Sequence, residues 1–259
     1  ADVYYGIQTS RALENCRISG TTIAFMPRFI QALGYVKKAA AVANMELGVL
    51  PEEIGRYICL ACDKVIAGEY NDQFPVDVYQ GGAGTSCNMN ANEVIANVAL
   101  ELMGHKKGEY QYCHPNNHVN CSQSTNDVYP TAIRLALYAT LTDFMGDMEY
   151  LRQGFAAKAV EFRDVMKMGR TQMQDAVPMT LGMEFSAWST TIGEDIRRIG
   201  EGREQICDIS MGATAIGTGI NTPEGYAELV TARLKEISGL PLFMAENLVE
   251  ATSDCCAYV

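Results

Sequence analysis

The sequence predicts a mainly α protein: an N-terminal, mostly helical domain followed by part of a long central helical bundle domain. Two observations carry most of that reading. Leu137, Leu141, Phe144, Met148, Leu151, Phe155, Ala159, Phe162 and Met166 follow one another at spacings of four and three. Leu181, Phe185, Trp188, Ile192, Ile196, Ile199, Ile206 and Ile209 continue the rhythm after a break at "GRTQMQDAVP". Such seams belong to long helices packed side by side in coiled-coil fashion. The third observation is negative. Alternating strand patterns are scarce, and short extended pieces are expected only near Tyr4–Ile7 and Ile18.

Taken in chain order, the helix signals are these. Pro51 with Glu52 and Glu53 makes a first turn suited to the positive helix end, and Gly68 makes a stop. Asn90 followed by Glu93 is a capping-box pattern, expected to open the helix "EVIANVALELMG" that ends at Gly104. "QSTND", residues 123–127, precedes a helix expected to carry Pro130 in its first turn. The first long helix would run about forty residues, or ~60 Å. A two-helix hairpin of that length cannot bury its apolar surface alone, so further helices are expected from other chains. Thr222-Pro223-Glu224 opens another helix, and Gly239 followed by Pro241 closes it. The domains expected are 1–123, N-terminal and mostly helical, and 124–259, the bundle.

Of the 259 residues 48% are hydrophobic and 20% charged, an ordinary globular composition. The net charge of −11 argues against a nucleic-acid or anionic-membrane partner, since both need a basic face. No stretch approaches the apolar length that spans a bilayer, and no signal peptide opens the chain. The start, "ADVYYGIQTS", reads like the middle of a longer protein. Nine cysteines, an odd count, suggest a reducing compartment and hence the cytoplasm.

Neither a metal nor a cofactor is expected. Cys59 and Cys62 fall inside the helical pattern "PEEIGRYICLACDKVIAG", and neither they nor the Cys255-Cys256 pair have a second pair or histidines at ligand spacing. Buried core thiols are the expectation. His114 and His118 have a spacing that would suit a metal on a helix, but Pro115 and two asparagines interrupt it, so hydrogen-bonded loop histidines are expected. His105, in "GHKKGEY", is expected on a solvated loop.

Three polar clusters exceed what a structural coiled coil needs. In "GGAGTSCNMNANE", residues 81–93, glycines let backbone N–H groups converge on an anion, with Thr85, Ser86 and Asn88 as further donors. Ordinary capping after a Gly-rich turn is the alternative. Ser124, Thr125 and Asn126 put three neutral donors at a positive helix end, where one residue would cap. That is a carboxylate cradle, with capping alone as the alternative. The turn "GRTQMQDAVPMT" offers Thr171 and Gln172 as neutral donors beside Arg170.

Together these segments resemble the fumarase/aspartase superfamily of homotetrameric lyases. The matching stretches are "YYGIQTSRALENC", "GGAGTSCNMNANEVIAN", "HPNNHVNCSQSTNDVYPTA", "GRTQMQDAVPMTLGMEF" and "GATAIGTGINTPEGY", in family order along the whole chain. "ENLVEATSDCCAYV" and Gln172 are similar to the aspartate ammonia-lyase branch, since fumarases usually carry histidine after that threonine. The resemblance implies an anti elimination of ammonia from L-aspartate to give fumarate, without a cofactor. It also implies that Thr85, Ser124, Thr125 and Asn126 bind the β-carboxylate, with Thr171 and Gln172 near the other end of the substrate. A homotetramer with active sites built from three subunits is implied as well.

The sequence departs from the family pattern in one respect that matters. The loop of type G-S-S-x-M-P-x-K-x-N-P, whose serine is the family's general base, is absent, and so is the C-terminal domain. The catalytic base is therefore expected in a segment beyond Val259, and no serine present is given that role. Cys87, Asn117 and Cys121 are smaller departures, and Asn117 puts in doubt the second anion site of fumarases. A class II fumarase interconverting malate and fumarate, or an inactive helical scaffold of the same fold, are the alternatives.

Overall fold

The computed structural model describes residues 3–254, so the Cys255-Cys256 pair lies outside the described residues. Packing divides the chain into two compact units, 1–137 with 206–259, and 138–205.

The first unit is built on α2 (Pro27–Glu46), a 20-residue helix that the sequence reading did not single out. Pro27 stands at its start, where a missing N–H costs nothing. Ala32, Ala39, Ala40 and Ala43 are buried and let neighbours approach closely. α3 (Glu52–Ile66) packs along α2 with Cys62 and Ile66 beside Gly34, buries Ile58 and Val65, and ends before Gly68 at φ +82°, as expected. α4 (Thr85–Leu102) packs on α3 and closes at Gly104, also as expected.

Its start is a correction. Gly84 is the N-cap, so Asn90 and Glu93 sit inside the helix rather than opening it. The carboxylate of Glu93 is occupied elsewhere. It accepts from the backbone N–H of Gly6, Gln8 and Thr9 at 2.8–3.1 Å and from the Thr9 hydroxyl at 2.7 Å. It thereby caps α1 (Ile7–Asn15), whose own N-cap residue is a glycine with no side chain to do so. The sequence distance of three between Asn90 and Glu93 imitates a local cap, whereas the partner is 84–87 residues away.

The extended pieces expected at Tyr4–Ile7 and Ile18 are not strands. Tyr4 N–H donates to Gln73 Oε1, and Ile18 N–H donates to Asp77, so side chains satisfy this backbone. A further change concerns the last helices. α7 (Tyr226–Ser238) starts after Gly225 at φ +79° rather than at Thr222, whose hydroxyl donates to the Gly219 carbonyl; it ends at Gly239 as expected. α8 (Leu248–Ser253) is capped by Asn247, whose side chain accepts from Val249 and Glu250 N–H.

α5 (Thr125–Glu161) has 37 residues, hence about 55 Å at 1.5 Å per residue. Pro130 is its sixth residue, in the second turn rather than the first, which deprives the Asn126 carbonyl of its helical donor. From Tyr138 onward α5 belongs to the second unit. There the expected turn is a two-stranded antiparallel hairpin, β1 (Met166–Thr171) and β2 (Gln174–Thr180). Met166 therefore lies on a strand and not on the helical seam. α6 (Leu181–Gln205) returns along α5. A side chain at Gly182 would meet the Ala159 carbonyl oxygen at 2.5 Å, so only glycine admits this crossing. Phe155, Phe162, Phe185 and Trp188 form the aromatic seam, with ring centroids 4.9–5.8 Å apart. Ile206 and Ile209 lie past the end of α6, with Ile209 on the short β3 (Asp208–Ile209) beside β4 (Phe243–Met244).

Replacing Glu93 by Gln leaves a donor facing buried N–H groups and should cost about 1–3 kcal/mol. The expected result is a lower urea midpoint with an unchanged slope.

Candidate active site

The site begins where two helix N-termini meet. Gly84 adopts φ +89°, and a Cβ there would lie 2.3 Å from the ring of Tyr129 on α5. Backbone conformation and packing both require glycine, and its absence of bulk sets the start of α4 against the second turn of α5. Thr85 stands exposed at the first position of α4, and Asn88, one turn on, is buried. The Asn88 Nδ2 donates to Thr125 Oγ1 at 3.1 Å.

α5 opens with a reciprocal cap. Ser124 Oγ accepts from Asn126 N–H at 3.2 Å, while Asp127 Oδ1 accepts from Ser124 N–H at 2.9 Å. Ser124 thus caps the helix, and its hydroxyl hydrogen is still free to donate outward. Thr125 caps nothing and is half-buried; Asn126 is exposed and donates to the Ala215 carbonyl at 2.8 Å. The structure brings Thr85, Ser124, Thr125 and Asn126 to these two adjoining helix starts.

Thr171 and Gln172 belong to the other unit, both exposed at the tip of the β1–β2 hairpin. Gln172 at φ +49° and Met173 at φ +62° are the two central residues of that turn. Positive φ at both positions is the type I′ conformation, adopted here without glycine or asparagine. Arg170 pairs with Asp175 across the hairpin at 3.1 Å.

Beneath the helix starts lies a polar layer that sequence reasoning missed. Lys37 of α2 is fully buried. Its ammonium donates to Asn120 Oδ1 and Gln123 Oε1, both at 2.9 Å. Burial pulls its pKa down to about 7, against the opposing pull of Asp127. Asp127 is buried as well, and its Oδ2 accepts from Gly212 and Thr214 N–H at 3.2 and 3.0 Å, which ties that loop to α5. Burial pushes its pKa up to about 6, outweighing the N–H donors and Lys37 that favour the anion. A usable signal for Lys37 existed. It stands at helical spacing between Leu33 and Ala40 and Ala41, a cation on an otherwise apolar stripe.

The histidine loop is the hydrogen-bonded kind. His114 Nδ1 accepts from Asn116 and Asn117 N–H, and His118 Nδ1 accepts from His114 N–H. Residues Pro115–Val119 form a single π turn. Cys59 and Cys62 lie on α3, half-buried and buried, with burial raising both thiol pKa values. Among the described residues no helix is long and apolar enough to cross a membrane.

A protein-family model described as lyase matches residues 1–259. The chain belongs to the lyase family. Aspartate ammonia-lyase of Escherichia coli (strain K12) is 56% identical to this chain over 260 residues, which cover 100% of this chain and 54% of that protein. The chain spans about half the length of the curated relatives it matches. Among solved structures it is similar to a cobalt-bound fumarate lyase:delta crystallin from Brucella melitensis, with TM-score 0.97 and 52% identity, covering 99% of this chain and 56% of that one. A class II fumarase from Schistosoma mansoni follows at TM-score 0.90 and 33% identity, covering 96% and 56%. The resemblance to the fumarase/aspartase superfamily and the mainly helical fold are borne out.

The shifts of Lys37 and Asp127 have opposite consequences for stability. Between pH 7 and 10.5 the unfolded chain binds a proton at Lys37 that the folded protein has lost, so this group makes stability rise with pH. Asp127 acts between pH 3.8 and 6, where the folded protein holds the extra proton and stability falls with rising pH. In urea unfolding from pH 7 to 10, wild type should gain stability relative to Lys37→Met; parallel pH profiles would contradict the lowered lysine pKa.

Proposed function

We propose that the protein containing this chain eliminates ammonia from L-aspartate to give fumarate. The observation that carries this is the meeting of two positive helix starts bearing the neutral donors Thr85, Ser124, Thr125 and Asn126, in a chain 56% identical to an aspartate ammonia-lyase.

The chemistry asks for such donors. A base removes the proton from the carbon next to the β-carboxylate, and the electron pair moves onto that carboxylate as a second negative charge. The pair then returns to form the carbon–carbon double bond as the carbon–nitrogen bond breaks and ammonia departs on the opposite face. Without an electron-sink cofactor the dianionic intermediate has to be met by fixed dipoles. Hydroxyl and amide donors at helix N-termini bind it more tightly than the singly charged group, which lowers the barrier. Capping and binding are compatible at Ser124, because the cap uses its oxygen and the substrate would use its hydrogen.

Thr171 and Gln172 take the far end of the substrate in this reading, and a serine in a segment beyond Val259 is the base. The strained turn that displays Gln172 supports a functional role for that tip. The active protein is a homotetramer with shared sites. Exposed Leu151, Val160, Met183 and Trp188 in the second unit support this, since they leave apolar surface for other subunits to cover. The domain scheme proposed for the whole protein keeps 1–123 and 124–259 as N-terminal and central domains. The location is cytoplasmic and the substrate a dicarboxylic amino acid, with neither nucleic acid nor membrane as partner.

The second reading is a fumarase, favoured by the likeness to the Schistosoma mansoni enzyme and opposed by Gln172. Ultraviolet absorbance of fumarate separates the two when the full-length protein is mixed with L-aspartate and with L-malate in turn. Product from aspartate alone supports the ammonia-lyase, and product from malate alone moves the assignment to fumarase. No product from either, with a folded oligomer, leaves another substrate or the scaffold.

Thr125→Ala should lower kcat by about 10²–10³-fold, the usual loss for one donor to a developing anion. Its thermal midpoint should fall by only about a few degrees, because Ser124 and Asp127 still supply the cap and the hydrogen bond from Asn88 is the one lost. Phe155→Ala empties the aromatic seam and should cost about 3 kcal/mol. Light scattering should show weaker assembly, and an unchanged tetramer would contradict the shared bundle.

A further inference from the structure

We propose that Lys37 is a positioning residue: through Asn120 and Asn88 it fixes the direction in which the Thr125 hydroxyl donates. The inference rests on the carboxylate-cradle reading given above and adds a residue to it that does not reach the substrate.

The argument follows donors and acceptors through one buried network. An ammonium only donates. Gln123 meets Lys37 with its oxygen, because its Nε2 is committed to the carbonyls of Val119 and Cys121 at 2.9 and 3.0 Å. Asn120 likewise turns Oδ1 to Lys37 and Nδ2 to the Gln123 carbonyl at 3.2 Å. That single oxygen also receives Asn88 Nδ2 and Asn92 Nδ2, both at 3.2 Å. An amide nitrogen carries two hydrogens. Those of Asn88 go to Asn120 Oδ1 and to Thr125 Oγ1. Thr125 Oγ1 is therefore an acceptor toward the interior, and its own hydrogen is left to donate to a ligand.

The opposite arrangement is easy to write down. With Asn88 flipped, its oxygen would accept the Thr125 hydroxyl hydrogen, and the donor would be used up inside the protein. The flip would also set Asn88 Oδ1 against Asn120 Oδ1, which Lys37 holds in place. A second observation shows which way the balance falls. The Oδ1 atoms of Asn88 and Asn92 are buried and meet no hydrogen-bond partner among the described residues. Leaving them so is costly. Both amides accept that cost because their nitrogens are drawn to the oxygen that Lys37 presents. The lowered pKa of Lys37 does not undo the arrangement, because the neutral amine still has two hydrogens for its two acceptors.

The test is a double-mutant cycle on the full-length protein, with L-aspartate as substrate and fumarate absorbance as readout. Lys37→Met should lower kcat at least about tenfold with a much smaller change in KM, since the donor matters most when the second charge develops. The decisive comparison is Lys37→Met with Thr125→Ala against Thr125→Ala alone. Once the hydroxyl is gone Lys37 has nothing left to orient, so the two should agree within about twofold. Losses that multiply, or a normal kcat per folded molecule in Lys37→Met, would overturn the relay. If Lys37→Met fails to fold by circular dichroism, Asn88→Ala carries the test, because it removes the donor to Thr125 without disturbing a buried charge. A kcat loss for Asn88→Ala that vanishes in the Thr125→Ala background supports the relay, and an unchanged kcat overturns it. The cradle reading fails separately, and takes the relay with it, if Thr125→Ala is as active as wild type or if wild type makes no fumarate.

Discussion

Taking one ammonium out of water sets the terms for the centre of this molecule. Lys37 is buried at the middle of α2 with amide oxygens rather than a carboxylate as its hydrogen-bond partners. A buried cation hydrogen-bonded only to neutral groups costs several kcal/mol unless its hydrogens find good acceptors. The chain segment from Asn120 to Gln123 supplies acceptors for two of them, and Ser122 takes φ +58° within it. Asn44, on the same helix as Lys37, accepts the Ser122 hydroxyl at 2.6 Å and donates to the Cys121 carbonyl at 3.0 Å. One helix thus holds the loop that delivers α5.

That delivery explains how four consecutive polar residues do four different things. Ser124 caps α5, Thr125 meets α4 through Asn88, Asn126 reaches the Ala215 carbonyl, and Asp127 gathers the N–H groups of Gly212 and Thr214. The question whether such a run merely caps a helix has a divided answer, because only Ser124 and Asp127 are engaged in capping. The remaining two present their groups at the positive end of a helix, where an anion is favoured.

Much of this was legible in the sequence, and what was not has a common cause. The two long seams predicted α5 and α6 because side-chain period is a local property. The stops at Gly68, Gly104 and Gly239 were legible for the same reason, since each is a left-handed residue at a helix end. Glu93 deceived because a carboxylate three residues after Asn90 looks identical whether it caps its own helix or a distant one. The hairpin between α5 and α6 hid because Gln172 and Met173 are not the residues an I′ turn asks for. The donor residues of the candidate site were all named beforehand, whereas Lys37 and its amides were not. Their meaning lies in contacts across 83 and 86 residues, which no window along the chain contains.

The hairpin tip carries a consequence of its own. Two consecutive left-handed residues with full side chains hold a backbone conformation that Asn-Gly would hold far more easily, and each costs on the order of 1–3 kcal/mol. Asparagine and glycine at those positions would relieve that cost, so Gln172 and Met173 leave a reserve of stability untapped at the tip. An engineer who stabilised the turn by consensus rules would gain a better hairpin and, in the same step, replace both side chains at its tip.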